Sequence, residues 1–190
     1  MNLPNILLSG KMGSGKTALA TLLKGQAGYV PISLAASLKE EAVRLIGRPL
    51  DKVQDRRFLQ LFGQACRDGI HKDYWCERLY MKTLEITSPF VVDDVRFENE
   101  VNYFKSRFPS DILTVKLIVN DEVRVRRLED RDGKYTNLKQ LENDSSENGF
   151  SPEFQFDLYL HVADHHSIID VYNMLMFKFS DMKGALNAIH

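Results

Sequence analysis

The chain has 190 residues, 44% of them hydrophobic, which is enough for one domain whose core needs neither disulfides nor metals. Its 25 Lys and Arg residues nearly balance its 26 Asp and Glu residues, which excludes a global basic field that would recruit nucleic acid or an anionic membrane. The two cysteines, Cys66 and Cys76, lack zinc-site spacing, and no apolar run reaches the roughly 20 residues that span a bilayer. We therefore expect one cytoplasmic domain without nucleic-acid or membrane partners.

Apolar runs of strand length alternate with helix-period segments along the chain. The predicted strands cover residues 5–9, 29–34, 90–95, 113–119 and 156–162. The predicted helices cover residues 16–23, 36–46, 55–69, 73–85, 97–106, 122–130 and the stretch from 167 to the C-terminus. This alternation predicts an α/β fold in three layers, in which helices cover both faces of a five-stranded parallel sheet.

A phosphate-binding loop is predicted between the first strand and the first helix. Residues 10–17 read GKMGSGKT, which fits GxxxxGK[ST], and a chance match is expected in roughly one chain of this length in a hundred or fewer. The backbone N–H groups and the helix dipole would bind phosphates, with Lys16 on the β- and γ-phosphates of ATP and Thr17 on Mg²⁺. The predicted nucleotide-binding residues are Gly10, Gly13, Ser14, Gly15, Lys16 and Thr17.

A carboxylate for the metal is predicted at the end of the third strand. Residues 89–94 read PFVVDD, which places Asp93 at the carboxyl end of an apolar strand, where open α/β sheets bind ligands. The alternative is that Asp93 or Asp94 caps the helix that starts near Phe97. Given the loop, we assign Asp93 to the metal site.

Several cationic and polar residues are candidates for binding the phosphate acceptor. Arg96 follows the two carboxylates and can hold a phosphate with two hydrogen bonds. Within the helical middle of the chain, Arg67 can bind a phosphate, Gln64 can read a base edge and Trp75 can stack on a base. The alternative for Trp75, as for its apolar neighbours Phe58, Leu61 and Phe62, is the core face of an amphipathic helix.

Three arginines, Arg124, Arg127 and Arg131, fall on one helix face before a long polar segment. They are candidates for contacts to the phosphate in the transition state, whereas a solvated helix face is the alternative. The segment 131–153 is too long and polar for an ordinary connection and is interpreted as a lid or a disordered insertion.

Several motifs together resemble the phage-type deoxynucleoside monophosphate kinases, a branch of the P-loop nucleoside monophosphate kinases. The motifs are GKMGSGKT, ISLAASLKEEA, LQLFGQACRDGIHKDYW, VVDDVRFENEV and VRRLEDRD followed by DSSE at 144–147. The resemblance implies ATP and Mg²⁺ at the loop, metal coordination by Asp93, and adenine near Ala163 and Asp164. It also implies acceptor binding by Lys39, Arg67, Asp94 and Arg96, and catalytic lid arginines at Arg127 and Arg131.

The resulting expectation is a single kinase domain over residues 1–190, with a monophosphate-binding insertion at about 36–87 and a lid at about 124–153. It would transfer the γ-phosphate of ATP to a (deoxy)nucleoside 5′-monophosphate in the cytoplasm, that of the host if a phage encodes it, and it could form a homodimer. The alternatives are a kinase for another metabolite, such as dephospho-coenzyme A or a nucleoside, and a nucleotide-dependent switch or ATPase module.

Overall fold

The structure is a computed structural model, and it describes residues 3–51, 54–133 and 149–187. Five strands are observed: β1 (Asn5–Ser9), β2 (Val30–Ile32), β3 (Phe90–Val92), β4 (Ile112–Val119) and β5 (Leu158–Val162). The helices are α1 (Lys16–Ala27), α2 (Leu34–Ile46), α3 (Arg56–Gly69), α4 (Tyr74–Thr83), α5 (Glu98–Arg107), α6 (Asp121–Asp132) and α7 (Ile168–Asn187). The predicted segment 131–153 lies largely outside the described residues.

The five strands form one parallel sheet in the order β2-β3-β1-β4-β5. β1 is central and every one of its residues is buried, which explains why its sequence, NILLS, is almost continuously apolar. Ile6 pairs with Val91 of β3, and Leu8 pairs with Val115 of β4. The loops after β1 and β3 therefore leave the same edge of the sheet side by side.

Two hydrophobic clusters cover the two faces of the sheet. On the face that we call the α1 face, side chains of α1, α6 and α7 pack on the strands, with Leu8, Leu19 and Leu175 at the centre. On the opposite face, the α5 face, side chains of α2, α3, α4 and α5 pack around Val92 and Phe104. The predicted α/β fold with helices on both faces of a five-stranded parallel sheet is confirmed.

The predicted elements are confirmed, and their ends differ for local reasons. Helix α1 runs to Ala27, four residues past its predicted end, because Gly28 in the left-handed region (φ 71°) closes it through a hydrogen bond to the carbonyl of Leu23. Strand β3 stops at Val92, because the side chain of Asp94 turns to the N-terminus of α2. In the described parts of the chain, none of the helices has both the length and the apolar character needed to cross a bilayer.

Candidate functional site

The loop between β1 and α1 has a backbone that only glycine can adopt at two positions. Gly10 has a φ of 146°, and a Cβ there would lie 2.7 Å from the carbonyl oxygen of Leu117. Gly13 has a φ of 82°, and its Cβ would lie 2.9 Å from the carbonyl oxygen of Arg124. The loop therefore packs directly against β4 and α6, and its glycines allow both the turn and the close contact.

Lys16, the first residue of α1, folds back over this loop. Its ammonium group donates hydrogen bonds to the carbonyl oxygens of Gly10 and, at 3.1 Å, of Lys11. The N–H of Ser14 also bonds to the Lys11 carbonyl, at 3.1 Å, which closes the turn. The hydroxyl of Ser14 is buried and has no hydrogen-bond partner among the described residues. A buried polar atom without a partner, a helix N-terminus and a lysine in one loop suit a bound phosphate.

Arg124 braces the loop from α6. Its side chain is only 5% exposed, and its Nη1 donates to the carbonyl oxygen of Met12 at 2.7 Å. Its Nε and Nη2 donate to Oδ1 of Asp121 at 3.0 and 2.6 Å, and this arginine lowers the pKa of Asp121. Arg124 thus fixes the loop against α6, whereas its position in the sequence had grouped it with Arg127 and Arg131.

The two carboxylates after β3 have different environments. Asp94 accepts hydrogen bonds from the N–H groups of Leu34 and Ala35 at 2.9 and 2.8 Å and from the Ser33 hydroxyl at 2.8 Å. Burial raises the pKa of Asp94, while these three hydrogen bonds oppose that shift. Asp94 therefore anchors the N-terminus of α2, and a direct role in acceptor binding stays a prediction.

Asp93, the other carboxylate after β3, has a different environment from Asp94. It is half-buried and follows β3, whose neighbour β1 leads into the phosphate-binding loop. Its carboxylate has no hydrogen-bond partner among the described residues. Thr17, at the start of α1, is exposed. A carboxylate and a hydroxyl are the hard oxygen ligands that Mg²⁺ takes from proteins, so these two residues fit that ion.

Arg67, on α3, reaches the turn between β3 and α5, and Arg96 lies on that turn. The guanidinium carbon of Arg67, on α3, lies 5.6 Å from the centre of the Phe97 ring, and Arg96 is the exposed residue just before that phenylalanine. The backbone N–H groups of Arg96 and Phe97 both donate to Oε2 of Glu100, at 2.7 and 3.0 Å. Arg67 thus packs against the turn that carries Arg96, and the buried side chain of Glu100 holds that turn in place.

Glu100 is 5% exposed, and burial raises its pKa to about 7, with the nearby Asp94 adding to the shift. Because the folded protein binds this proton more tightly than the unfolded chain does, Glu100 contributes stability at acidic pH. That contribution is lost as the pH rises through about 7. The resulting loss in the free energy of unfolding between acidic and alkaline pH is on the order of 3 kcal/mol.

Glu100→Gln should remove this pH dependence while keeping both hydrogen bonds, since an amide oxygen can accept two N–H groups. Urea unfolding at pH 5 and pH 8 measures the effect. We expect the wild type to lose stability relative to the variant between these pH values. If the free energies of unfolding of the wild type and the variant change equally between pH 5 and pH 8, the pKa of Glu100 is not raised by folding.

A pocket of about 270 Å³ adjoins the phosphate-binding loop on the α1 face. It is lined by Ser14, Gly15, Ala18, Arg127, Val162, His166, Ile168 and Val171. Arg127, a predicted catalytic residue, thus lies beside the loop, while Arg126 pairs with Asp164. Nδ1 of His166 accepts the N–H of Ala163 at 3.0 Å, so in the neutral ring Nε2 carries the proton. Apolar walls with a few polar groups suit a nucleobase.

The remaining predicted site residues are Trp75, Gln64, Lys39 and Arg131. Trp75 is 2% exposed and its indole N–H donates to the Gly63 carbonyl at 3.0 Å, so the prediction that its ring stacks on a base is corrected to a core role. Gln64 is exposed and bonds to Asp68 at 2.8 Å. Lys39 is exposed on α2, and Arg131 is exposed in the last turn of α6.

The residues that hold the phosphate-binding loop and the turn after β3 in place were not predicted from the sequence. Glu100 stands three positions after Phe97, the spacing at which a helix glutamate reaches back to the preceding N–H groups, and that spacing could have identified it. The Asp121 and Arg124 pair has a recognisable i, i+3 spacing. His166 and Ile168 carry no sequence signal, because they join the pocket only when α7 packs against α1.

A family model described as AAA domain matches residues 6–148. One curated relative, uncharacterized protein ORF76 of Ictalurid herpesvirus 1 (strain Auburn), is 27% identical over 104 residues, 53% of this chain and 43% of that protein. The chain thus spans less than half the length of the curated relative that it matches.

Solved structures, two of them of kinases, share the fold. A gluconokinase from Sinorhizobium meliloti 1021 superposes with a TM-score of 0.63 at 16% identity, covering 98% of each chain. A shikimate kinase from Bacteroides thetaiotaomicron gives 0.58 at 17% identity over 93% of this chain and 98% of its own. The protein TT1252 from Thermus thermophilus gives 0.61 at 22% identity over 95% and 98%. The fold is that of P-loop kinases, and since the family match takes in well over half of the sequence, the chain belongs to the AAA domain family.

Proposed function

We propose that the chain is an ATP-dependent kinase that transfers the γ-phosphate of ATP to a (deoxy)nucleoside 5′-monophosphate and requires Mg²⁺. The observation that carries the proposal is the arrangement at one edge of the sheet. There the loop with Lys16 follows β1, which lies beside β3, and Asp93 follows β3. Arg67 of α3 packs against the next turn, which carries Arg96. These parts supply a donor phosphate site, a metal ligand and cations for an anionic acceptor.

The donor would bind with its phosphates in the loop and its base in the adjoining pocket. The N–H groups of the loop and the N-terminus of α1 would hold the phosphates, and Lys16 would exchange its carbonyl partners for phosphate oxygens. The base would lie between the apolar side chains of α1 and α7, near the guanidinium of Arg127. The base would then lie near Val162 and His166, close in the chain to Ala163, where the family resemblance implies the adenine.

The Thr17 hydroxyl and the Asp93 carboxylate would hold Mg²⁺. When bound, Mg²⁺ would neutralise part of the phosphate charge. Among the described residues there is no group of three or more His, Cys, Asp or Glu side chains that could hold a metal by itself. Mg²⁺ in phosphoryl-transfer sites keeps waters and substrate phosphates as ligands, so it does not need such a group.

The acceptor would bind on the α5 face, between the helical insertion of residues 36–87 and the turn after β3. Arg67 and Arg96 would hold its phosphate, with Lys39 and Gln64 nearer the rim, and Asp94 would position the N-terminus of α2. Because a nucleoside monophosphate has a second pKa near ~6, it is already a nucleophilic dianion at neutral pH, and the chemistry requires no protein base. Arg127 and Arg131 of the proposed lid, 124–153, would stabilise the transferred phosphate.

The alternative within enzymes is a kinase for another metabolite, since the similar structures include a gluconokinase and shikimate kinases. The alternative outside this class is an ATPase module or switch that hydrolyses nucleotide without an acceptor. Two arginines at the acceptor position favour an acceptor that already carries a phosphate.

A coupled assay of ADP formation with ATP and Mg²⁺ tests the proposal. The acceptor panel should contain ribo- and deoxyribonucleoside monophosphates, with dephospho-coenzyme A, gluconate, shikimate and nucleosides as competing candidates. We expect ADP to form with at least one monophosphate and not without an acceptor. ADP formation only with another compound, or equal formation without any acceptor, would contradict the proposal.

Arg96→Ala should raise the KM for the acceptor by a factor on the order of ten or more, because a charge-assisted contact to a phosphate is lost. The KM for ATP should stay close to that of the wild type. Arg107→Ala is the matched control, since Arg107 is at the far end of α5, the helix that follows Arg96, and packs over Tyr80 and Tyr103. Equal losses for both substrates would show that Arg96 is structural.

A further inference from the structure

Lys116 lies on the acceptor side of the phosphate-binding loop. It pairs in register with Ser9, the last residue of β1 before the loop. Its side chain lies on the α5 face, where it contacts Phe150, a residue packed against the hydrophobic cluster of that face. The pocket proposed for the base of ATP is on the opposite face, around Val162 and Val171.

The ammonium group of Lys116 is held between aromatic rings. Its Nζ lies 5.3 Å from the ring centre of Phe150 and 5.1 Å from that of Phe156. These two rings lie 4.9 Å apart and pack with Phe154 in one cluster. Two cation–π contacts fix the position of the charge more closely than a solvated lysine would allow.

This cation has no carboxylate within ion-pair distance among the described residues, in contrast to Lys105, which pairs with Asp157 at 3.0 Å. Burial lowers the pKa of Lys116, and the ammonium group of Lys11 in the phosphate-binding loop lowers it further. Lys11 is paired with Asp121 at 3.7 Å, whereas the half-buried charge of Lys116 faces aromatic rings. An anionic ligand beside Lys116 would stabilise its charged form.

We propose that Lys116 is a further binding residue of the phosphoryl-transfer site and that its ammonium group contacts the phosphate of the acceptor, together with Arg67 and Arg96. The assignment to the acceptor rather than to ATP follows from the face of the sheet, since Lys116 shares the α5 face with the helices that carry or adjoin the two arginines. This inference rests on the proposed function for the identity of the acceptor, but not for the binding of an anion.

Lys116→Met tests the inference because methionine keeps an unbranched stem against the rings and removes the charge. We expect the KM for the acceptor to rise on the order of tenfold to a hundredfold, with the KM for ATP unchanged. Lys116→Arg, which keeps the charge, should recover most of the loss. Lys24→Met is the matched control, because Lys24 is exposed on α1. An unchanged KM for the acceptor, or an equal rise for ATP, would overturn the inference.

Two further measurements separate this inference from the proposed function and from misfolding. If no monophosphate is phosphorylated, inorganic phosphate titrated into the protein and followed by ³¹P NMR should still bind more weakly to Lys116→Met than to Lys24→Met, and equal binding would refute the site. If Lys116→Met does not fold, acetic anhydride labelling of the wild type replaces it. The monophosphate or inorganic phosphate should then protect Lys116 but not Lys24, and equal labelling with and without the anion would overturn the inference.

Discussion

Replacement of Lys16 by alanine should lower the rate of ADP formation by a factor on the order of a hundred to a thousand, the usual cost of losing one donor aimed at developing charge. Lys16 is the one predicted catalytic residue whose side chain lies in the loop itself, where it bonds to the carbonyls of Gly10 and Lys11. Bound phosphates would replace these carbonyls as partners of the Lys16 ammonium group. Loss of its charge would therefore weaken the stabilisation of the transferred phosphate. Steady-state kinetics with the best acceptor of the panel measures the loss.

The control for Lys16→Ala is Lys24→Ala on the exposed face of the same helix. Lys24→Ala should unfold at nearly the wild-type temperature, because surface substitutions usually change stability by less than about 0.5 kcal/mol. Lys16→Ala should lose no more than the net contribution of its two hydrogen bonds, about 1–3 kcal/mol. Near wild-type activity in Lys16→Ala would remove the phosphate-site assignment. Loss of activity together with a large drop in melting temperature would show that Lys16 holds the loop together instead.

The sequence was sufficient for the fold and for the loop because both depend on local patterns. The buried parallel strands have apolar centres, such as ILL in β1 and FVV in β3, and the glycine pattern of the loop records a backbone that other residues rarely adopt. The strand order could not be deduced from such patterns, because it depends on contacts between distant segments. Only the structure shows that β3 lies directly beside β1. Asp93, which follows β3, therefore lies next to the phosphate-binding loop, which follows β1.

Side-chain roles were harder to predict than positions. Trp75 and Arg67 lie in one helical region of similar composition, yet Trp75 is buried in the core and Arg67 reaches the turn beside Arg96. Arg124 has the spacing of a cationic helix face, but it is buried in an ion pair with Asp121. In each case burial decides the role, and burial is set by tertiary packing that local periodicity does not encode.

The neighbouring carboxylates Asp93 and Asp94 show most clearly what the structure adds to the sequence. The sequence alone left open which of the two is a ligand and which is a helix cap. In the structure Asp94 holds α2 through Leu34, Ala35 and Ser33, whereas Asp93 follows the strand without such partners among the described residues. Matched substitutions of the two by asparagine should therefore have opposite signatures.

Asp93→Asn should lower kcat by a factor on the order of a hundred and raise the Mg²⁺ concentration needed for half-maximal rate, with an unchanged melting temperature. Asp94→Asn should lower the melting temperature by several degrees, because asparagine has one acceptor oxygen where the carboxylate uses both and about 1–3 kcal/mol of capping is lost. Mg²⁺ titrations and thermal unfolding of the two variants measure these effects.

If Asp94→Asn shifts the Mg²⁺ requirement and Asp93→Asn does not, the metal ligand is Asp94 and the helix cap is a secondary role. If neither variant shifts it, the metal is held by the nucleotide and Thr17 without a carboxylate from this edge, and the proposed role of Asp93 fails.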